Sequence, residues 1–239
     1  MIAIQKKAEP AELAELRHQA ERLMLSPEEA YDTLKNPLKA MVRDSLVDEQ
    51  GQLCAYCMCR IPRTDIDPGI APIVIEHMDP RNSADHRDAG QGLDYNNFVA
   101  VCHGNRGAHG TKNKTDLICD AHKDNLEFRK VNPCKPETLQ SIFYTLDGKI
   151  DANDMDVKSD LLDILNLNCP SAPLIAERKA ALDSMIDVIG QDAHVDEIRL
   201  LKFCESMLGE FYLERKVKTP YVGILIWYLQ TMIESLQRR

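Results

Sequence analysis

With 239 residues, 44% hydrophobic and 28% charged, the chain can bury a substantial core, and its composition excludes global disorder. A formal net charge of −9 argues against a broad electrostatic grip on nucleic acid, yet the acidity lies mainly in the two flanks and leaves room for a basic groove in the middle. No apolar leader follows Met1 and no apolar run approaches the ~20 residues that span a bilayer, which predicts a cytoplasmic protein with no membrane segment.

In chain order, residues 10 to 25 carry Leu13, Leu16, Ala20, Leu23 and Met24 on one face and predict an amphipathic helix. Ser26-Pro27-x-Glu29 is a capping box with proline at the first helical position, so a second helix starts there. A third follows Asn36-Pro37 over residues 38 to 47, and Gly51 ends this arm. After a polar loop through Asp65 and Gly69, Ile70 to Ile75 reads as a short strand delivering Glu76 and His77 at its end.

Residues 82 to 92 form a charged loop, and Phe98 to Val101 a short strand or buried turn that brings in Cys102. Residues 104 to 115 are glycine-rich loop, 119 to 128 helix, and 142 to 150 a β-hairpin about Asp147-Gly148. From Met155 the pattern is helical throughout. The last element, Tyr221 to Leu236, is apolar nearly all round and reads as a buried helix or an oligomer interface.

Eight cysteines in a reducing compartment read as thiols rather than a disulfide framework, and Cys54-x-x-Cys57 is the spacing that places two thiolates on one tetrahedral zinc. The second pair is less determined. Cys102 and Cys119 are the candidates, far apart for a knuckle, with Cys59 and His103 competing and His109 and His122 further back; Cys134, Cys169 and Cys204 read as core residues. A thioredoxin-like redox pair fits poorly, because Pro62 and a loop follow instead of a long helix.

Glu76-His77 offers a carboxylate for a hard cation beside an imidazole that can act as general base. Taken together, Cys54-x-x-Cys57, Ile75-Glu76-His77-x-x-Pro80-Arg81, Leu93-Asp94-Tyr95-Asn96-Asn97, Cys102 and Cys119-Asp120-x-x-Lys123 resemble a zinc-bound HNH endonuclease of the ββα-metal class. The resemblance is closer still to the HNH subunit of Septu-type anti-phage systems, including those attached to retrons. It extends to Ile4-x-Lys6, Glu9-Pro10, Glu49-Gln50-Gly51, Leu165-Asn166-Leu167-Asn168 and Arg178.

The resemblance implies an α+β fold in which a zinc-knuckle ββα-metal core, residues 51–150, is embedded between a helical arm, 1–50, and a helical region, 151–239. It implies His77 as general base, Glu76 and Asp120 as ligands of a catalytic divalent ion, Asn97 as the residue that orients the histidine, and Cys54, Cys57, Cys102 and Cys119 as ligands of structural zinc. Oxygen ligands favour Mg²⁺; His122 in place of Asp120 would favour Mn²⁺ or Ni²⁺. Arg81, Arg106 and Lys123 are expected near phosphates. Implied partners are the nucleic acid substrate, an ATPase of the ABC and SMC type, and a retron reverse transcriptase with its nucleic acid. The competing reading is a zinc-stabilised nucleic-acid-binding or scaffold protein without catalysis, which would not require Glu76, His77, Asn97 and Asp120 together.

Overall fold

A computed structural model of the chain describes residues 1–63, 73–81, 92–106, 113–191, 196–214 and 216–238. The expected loops about Asp65 and 82–91, residues 70–72 of the expected strand, and His109 lie outside the described residues. The described fold is α+β: mainly helical, with two small antiparallel sheets.

Helices α1 (Ala11–Arg22), α2 (Pro27–Thr33) and α3 (Leu38–Glu49) form the N-terminal arm. Both halves of the Ser26 capping box are made, with Glu29 N–H donating to Ser26 Oγ at 3.2 Å and Ser26 N–H to Glu29 Oε2 at 2.8 Å. One expectation fails at the end of α1. Met24 adopts φ +54, and Leu25 N–H turns back to Ala20 O at 3.2 Å, which closes the helix with a left-handed cap. The turn sends Leu25 to the core and leaves Leu23 and Met24 exposed.

Strand β1 (Val74–His77) pairs antiparallel with β2 (Phe98–Val101), with Glu76 opposite Val99 and His77 opposite Phe98. Glu76 and His77 thus belong to the strand, and its alternation directs them to opposite faces of the ribbon. The outer edge of β2 is closed by side chains as well as backbone. Gln50, at the end of α3, donates to Ala100 O at 2.7 Å and accepts from Ala100 N–H at 2.7 Å, while Lys6 Nζ donates to Phe98 O at 2.9 Å. Ala55 N–H reaches Ala100 O at 3.1 Å. Backbone groups that would otherwise be buried without partners are satisfied in this way.

Gln50→Ala removes both partners of Ala100 that come from the side chain, and is expected to lower the melting temperature by roughly 5 to 10 °C. A scanning-calorimetry melt checks it, and an unchanged melting temperature would mean that water takes the place of the amide.

Helix α4 (Cys119–Lys123) is shorter than the expected 119–128, because Asp124 turns to φ +54 directly after it. The hairpin β3 (Ile142–Tyr144) and β4 (Ile150–Ala152) occurs where the sequence predicts it. Helix α5 (Met155–Ser159) runs into a π-helical turn, Asp160–Ile164, that periodicity does not announce. Buried Asp160 accepts from the N–H groups of Arg129, Lys130 and Val131 at 2.7 to 2.9 Å, so the wide turn brings its carboxylate onto three backbone donors.

Helices α6 (Leu174–Gln191), α7 (Glu197–Leu213) and α8 (Val222–Gln237) complete the chain. Only the first half of α8 is buried: Val222, Ile224, Leu225 and Leu229 enter the core, while Met232 and Ile233 are half-covered. The linker before α8 lies on the first knuckle, with Lys218 N–H on Gly51 O at 2.9 Å and Tyr221 N–H on Met58 O at 3.0 Å. One apolar cluster runs from Met1 through both sheets to Leu229. No helix among the described residues is long and apolar enough to cross a membrane.

Candidate functional site: a four-cysteine cluster beside two carboxyls and a histidine

All eight cysteines are free, and the sulfurs of Cys54, Cys57, Cys102 and Cys119 lie within 4.8 Å of one another. Cys57 and Cys102 are 3.8 Å apart, Cys54 and Cys119 4.0 Å. A disulfide needs about 2.05 Å between sulfurs, whereas four thiolates around zinc at ~2.3 Å stand about 3.8 Å apart, so the spacing is that of a tetrahedral cation site. Burial pushes the Cys119 thiol well up, and hydrogen bonding from Cys119 brings Cys102 down to about 6. These thiols must share protons at close quarters. A divalent cation would replace those protons and relieve the crowding.

The first knuckle closes locally: Met58 N–H donates to Cys54 O at 3.0 Å and Cys54 N–H to Cys59 O at 2.9 Å. The second needs tertiary structure. Gly104, at φ +68, lies so close to α4 that an added Cβ would stand 2.4 Å from Ala121 Cβ and 2.5 Å from Ile118 O. Ile118 N–H bonds Gly104 O at 3.2 Å, and Cys119 N–H bonds Leu165 O at 2.9 Å. Asn166 then ties the approach to α4, donating to Thr115 O at 3.0 Å and Leu117 O at 2.9 Å. Among the sequence alternatives, Cys59 and His103 are outside the four-sulfur group, and His122 Nδ1 pairs with Ile164 O at 2.9 Å.

Beside the cysteines, the carboxyl of Glu76 from β1 comes within interaction range of that of Asp120 from α4. Burial and the Asp120 charge push the Glu76 carboxyl up to about 8, against the opposing pull of Lys123. A divalent cation would relieve the same repulsion, so this donor pair fits a hard metal ion. Lys123, expected near phosphates, is 1% exposed; its Nζ stands 2.9 Å from Glu76 Oε1 and donates to His77 O at 3.2 Å. Tyr56, between the first two cysteines, donates its hydroxyl to the same Glu76 oxygen at 3.4 Å.

His77 is buried with its ring edge-on to Tyr31 and to Phe98, each at 4.8 Å between centroids. Its Nε2 is 3.1 Å from Gly92 O. A carbonyl only accepts, so Nε2 carries the proton and Nδ1 keeps the lone pair. Burial holds the imidazole neutral, bringing its pKa down to about 4. Gly92 is itself fixed by space: an added Cβ would lie 2.0 Å from Pro27 O at the start of α2. The N-terminal arm therefore sets the carbonyl that selects the histidine tautomer.

Asn97 clips the chain just beyond β1, donating from Nδ2 to Asp79 O at 2.9 Å and accepting at Oδ1 from Asp79 N–H at 2.8 Å. Met78 N–H bonds Asn97 O at 3.0 Å, so the exit from His77 is held at consecutive residues. Arg106, half-exposed, pairs with Asp120 at 3.3 Å, and the Arg81 guanidinium lies 4.6 Å over the Tyr31 ring. A polar cleft of about 900 Å³ lined by Lys6, Glu49, Arg63, Tyr212 and Lys218 lies elsewhere and includes none of these groups.

No family model matches the chain. It is similar to a protein of Vibrio cholerae serotype O1 biovar El Tor described as "Retron Vc95 putative HNH endonuclease", at 26% identity over 216 residues, covering 86% of this chain and 94% of that one. That is a nuclease likeness. It spans nearly the whole of both proteins, so it includes more than the small cysteine-bearing segment.

Sequence reasoning did not single out Tyr31, Tyr56 or Gly92. Tyr56 could have been noticed from its place inside Cys54-x-x-Cys57. Tyr31 and Gly92 come from elements whose contact with His77 has no local signal.

Proposed function

We propose that this chain is a metal-dependent HNH endonuclease of the ββα-metal class that hydrolyses phosphodiester bonds in nucleic acid. The observation that carries the reading is that β1 and α4 bring the carboxyls of Glu76 and Asp120, distant in sequence, within interaction range, with Lys123 tying Glu76 to the backbone of His77. A zinc knuckle serving only as a scaffold has no use for this group. In this reading β1, β2 and α4 form the ββα-metal motif within a nuclease unit, 51–150, and the segments 1–50 and 151–239 brace it and dock partners.

Glu76 and Asp120 would hold one divalent ion, with Mg²⁺ favoured by their oxygen donors. Such an ion supplies charge stabilisation at the phosphate and the leaving oxygen. His77 takes the proton of the attacking water at Nδ1, since Nε2 is committed to Gly92 O. Asn97 is a positioning residue that fixes the chain after the histidine. Arg106 and Arg81 are the cations for phosphate, Arg106 by virtue of its exposure beside Asp120. Cys54, Cys57, Cys102 and Cys119 hold a separate structural zinc.

Asp120 is favoured over His122 as the ligand because residues two apart on a helix face different ways, and it is Asp120 that meets Glu76. Asp120→Ala is expected to abolish divalent-metal-dependent cleavage, and His122→Ala to retain most of it. The reverse result would move the metal to the histidine.

The biological role proposed is that of nuclease effector in a bacterial anti-phage system of the Septu type, acting with an ABC/SMC-like ATPase and with a retron reverse transcriptase and its nucleic acid. The motif resemblance and the retron-linked relative support it. The deciding experiment is cleavage of a mixed DNA and RNA panel by zinc-loaded protein, alone and with its genomic neighbours, with and without Mg²⁺. Metal-dependent cleavage supports the nuclease and gives its substrate class. No cleavage in any combination by folded, zinc-bound protein would favour the scaffold reading.

A further inference from the structure

We infer that Lys123 is a positioning residue of the divalent-metal site, a buried clamp that fixes the Glu76 side chain with one oxygen committed and the other free; the inference rests on the nuclease reading above. Three observations carry it. The first is that the ammonium is 1% exposed, out of reach of any phosphate in solvent.

The second is what that ammonium touches: Glu76 Oε1 at 2.9 Å, His77 O at 3.2 Å, and the face of Phe128 at 5.3 Å to its centroid. One group on α4 thus grips two consecutive residues of β1, a side chain and a main-chain oxygen. The third is that Tyr56 hydroxyl approaches the same Glu76 oxygen at 3.4 Å. With Oε1 occupied by Lys123 and Tyr56, Oε2 is the oxygen left for a cation shared with Asp120.

The chemistry of the grip is specific. A buried carboxylate next to a second carboxylate is costly unless a cation compensates it. A lysine three residues after Asp120 sits one turn along the same helix, so the charge that stabilises Glu76 and the carboxyl that joins it in binding metal move as one rigid unit. Partners behind a metal ligand of this kind commonly set affinity by about 10- to 100-fold.

The test is isothermal titration of Mn²⁺ into zinc-loaded wild type, Lys123→Met and Tyr56→Phe, followed by cleavage at a series of Mn²⁺ concentrations. Lys123→Met keeps the length of the side chain and removes the charge; it is expected to weaken Mn²⁺ binding by about 10-fold or more and to raise the half-saturating metal concentration for cleavage in parallel. KM for nucleic acid at saturating metal should not move. Tyr56→Phe should shift Mn²⁺ binding in the same direction by less, and it retains the test if Lys123→Met does not fold. In a Glu76→Ala background neither change should weaken binding further, because the side-chain oxygens they hold are gone.

Mn²⁺ binding equal to wild type in the folded variants, or an increase in KM alone, overturns the clamp and leaves the nuclease reading standing. Wild type that binds no Mn²⁺ overturns both.

Discussion

Replacing His77 by Ala is expected to lower the rate of nucleic-acid cleavage by about 10²- to 10⁴-fold, the usual contribution of a positioned general base. The ring is wedged between Tyr31 and Phe98, so Ala also leaves a cavity and will lower the melting temperature. His77→Gln separates the two effects. It fills more of the space and offers an amide N–H to Gly92 O, but has no basic nitrogen. Both variants should retain zinc and bind nucleic acid, and both should show the same loss of rate, about 10²- to 10⁴-fold, in single-turnover assays at saturating metal. Cleavage at the wild-type rate by folded His77→Gln would remove the proton-abstraction role from this residue.

The second large effect concerns the cysteine cluster. Wild-type protein is expected to carry about one zinc per chain, and Cys119→Ser to lose it together with cooperative unfolding, since binding to structural sites of this type is worth on the order of 10 kcal/mol. The consequence reaches the second site directly. Cys119 opens α4, which carries Asp120 and Lys123, so loss of the metal frees the helix that meets Glu76. Cys59→Ser is the control, because Cys59 stands outside the four-sulfur group. Elemental analysis and a thermal melt read both outcomes. Zinc retained by Cys119→Ser and lost from Cys59→Ser would exchange their roles.

The flanking segments have a physical part in this arrangement. Lys6 pairs with Glu49 and lies 4.0 Å over the Tyr95 ring, Tyr95 donates its hydroxyl to Glu49 at 3.1 Å, and Gln50 closes the edge of β2. On the other side Asn168 bonds both the N–H and the C=O of Ile150, at 3.0 and 2.9 Å. Buried Arg178 reaches Leu167 O at 2.8 Å and ties that segment to α6. The short sheet and the five-residue α4 would be marginal alone; both are held by polar side chains from segments distant in sequence.

Much of the local structure was legible in the residues themselves. Cys54-x-x-Cys57 specifies a tight turn because both thiols lie within one turn of chain, the Ser26 box announces α2, and Asp147-Gly148 announces the hairpin. Chemistry within a few residues is enough for each. Other outcomes depended on the packed chain: that Cys102 and Cys119 complete the four sulfurs, that Leu23 and Met24 leave the helix face, and that Lys123 turns inward to Glu76. No spacing rule encodes these. They follow from contacts between remote segments, such as the glycine that lets the second knuckle approach α4 and the carboxyl whose burial demands a cation beside it.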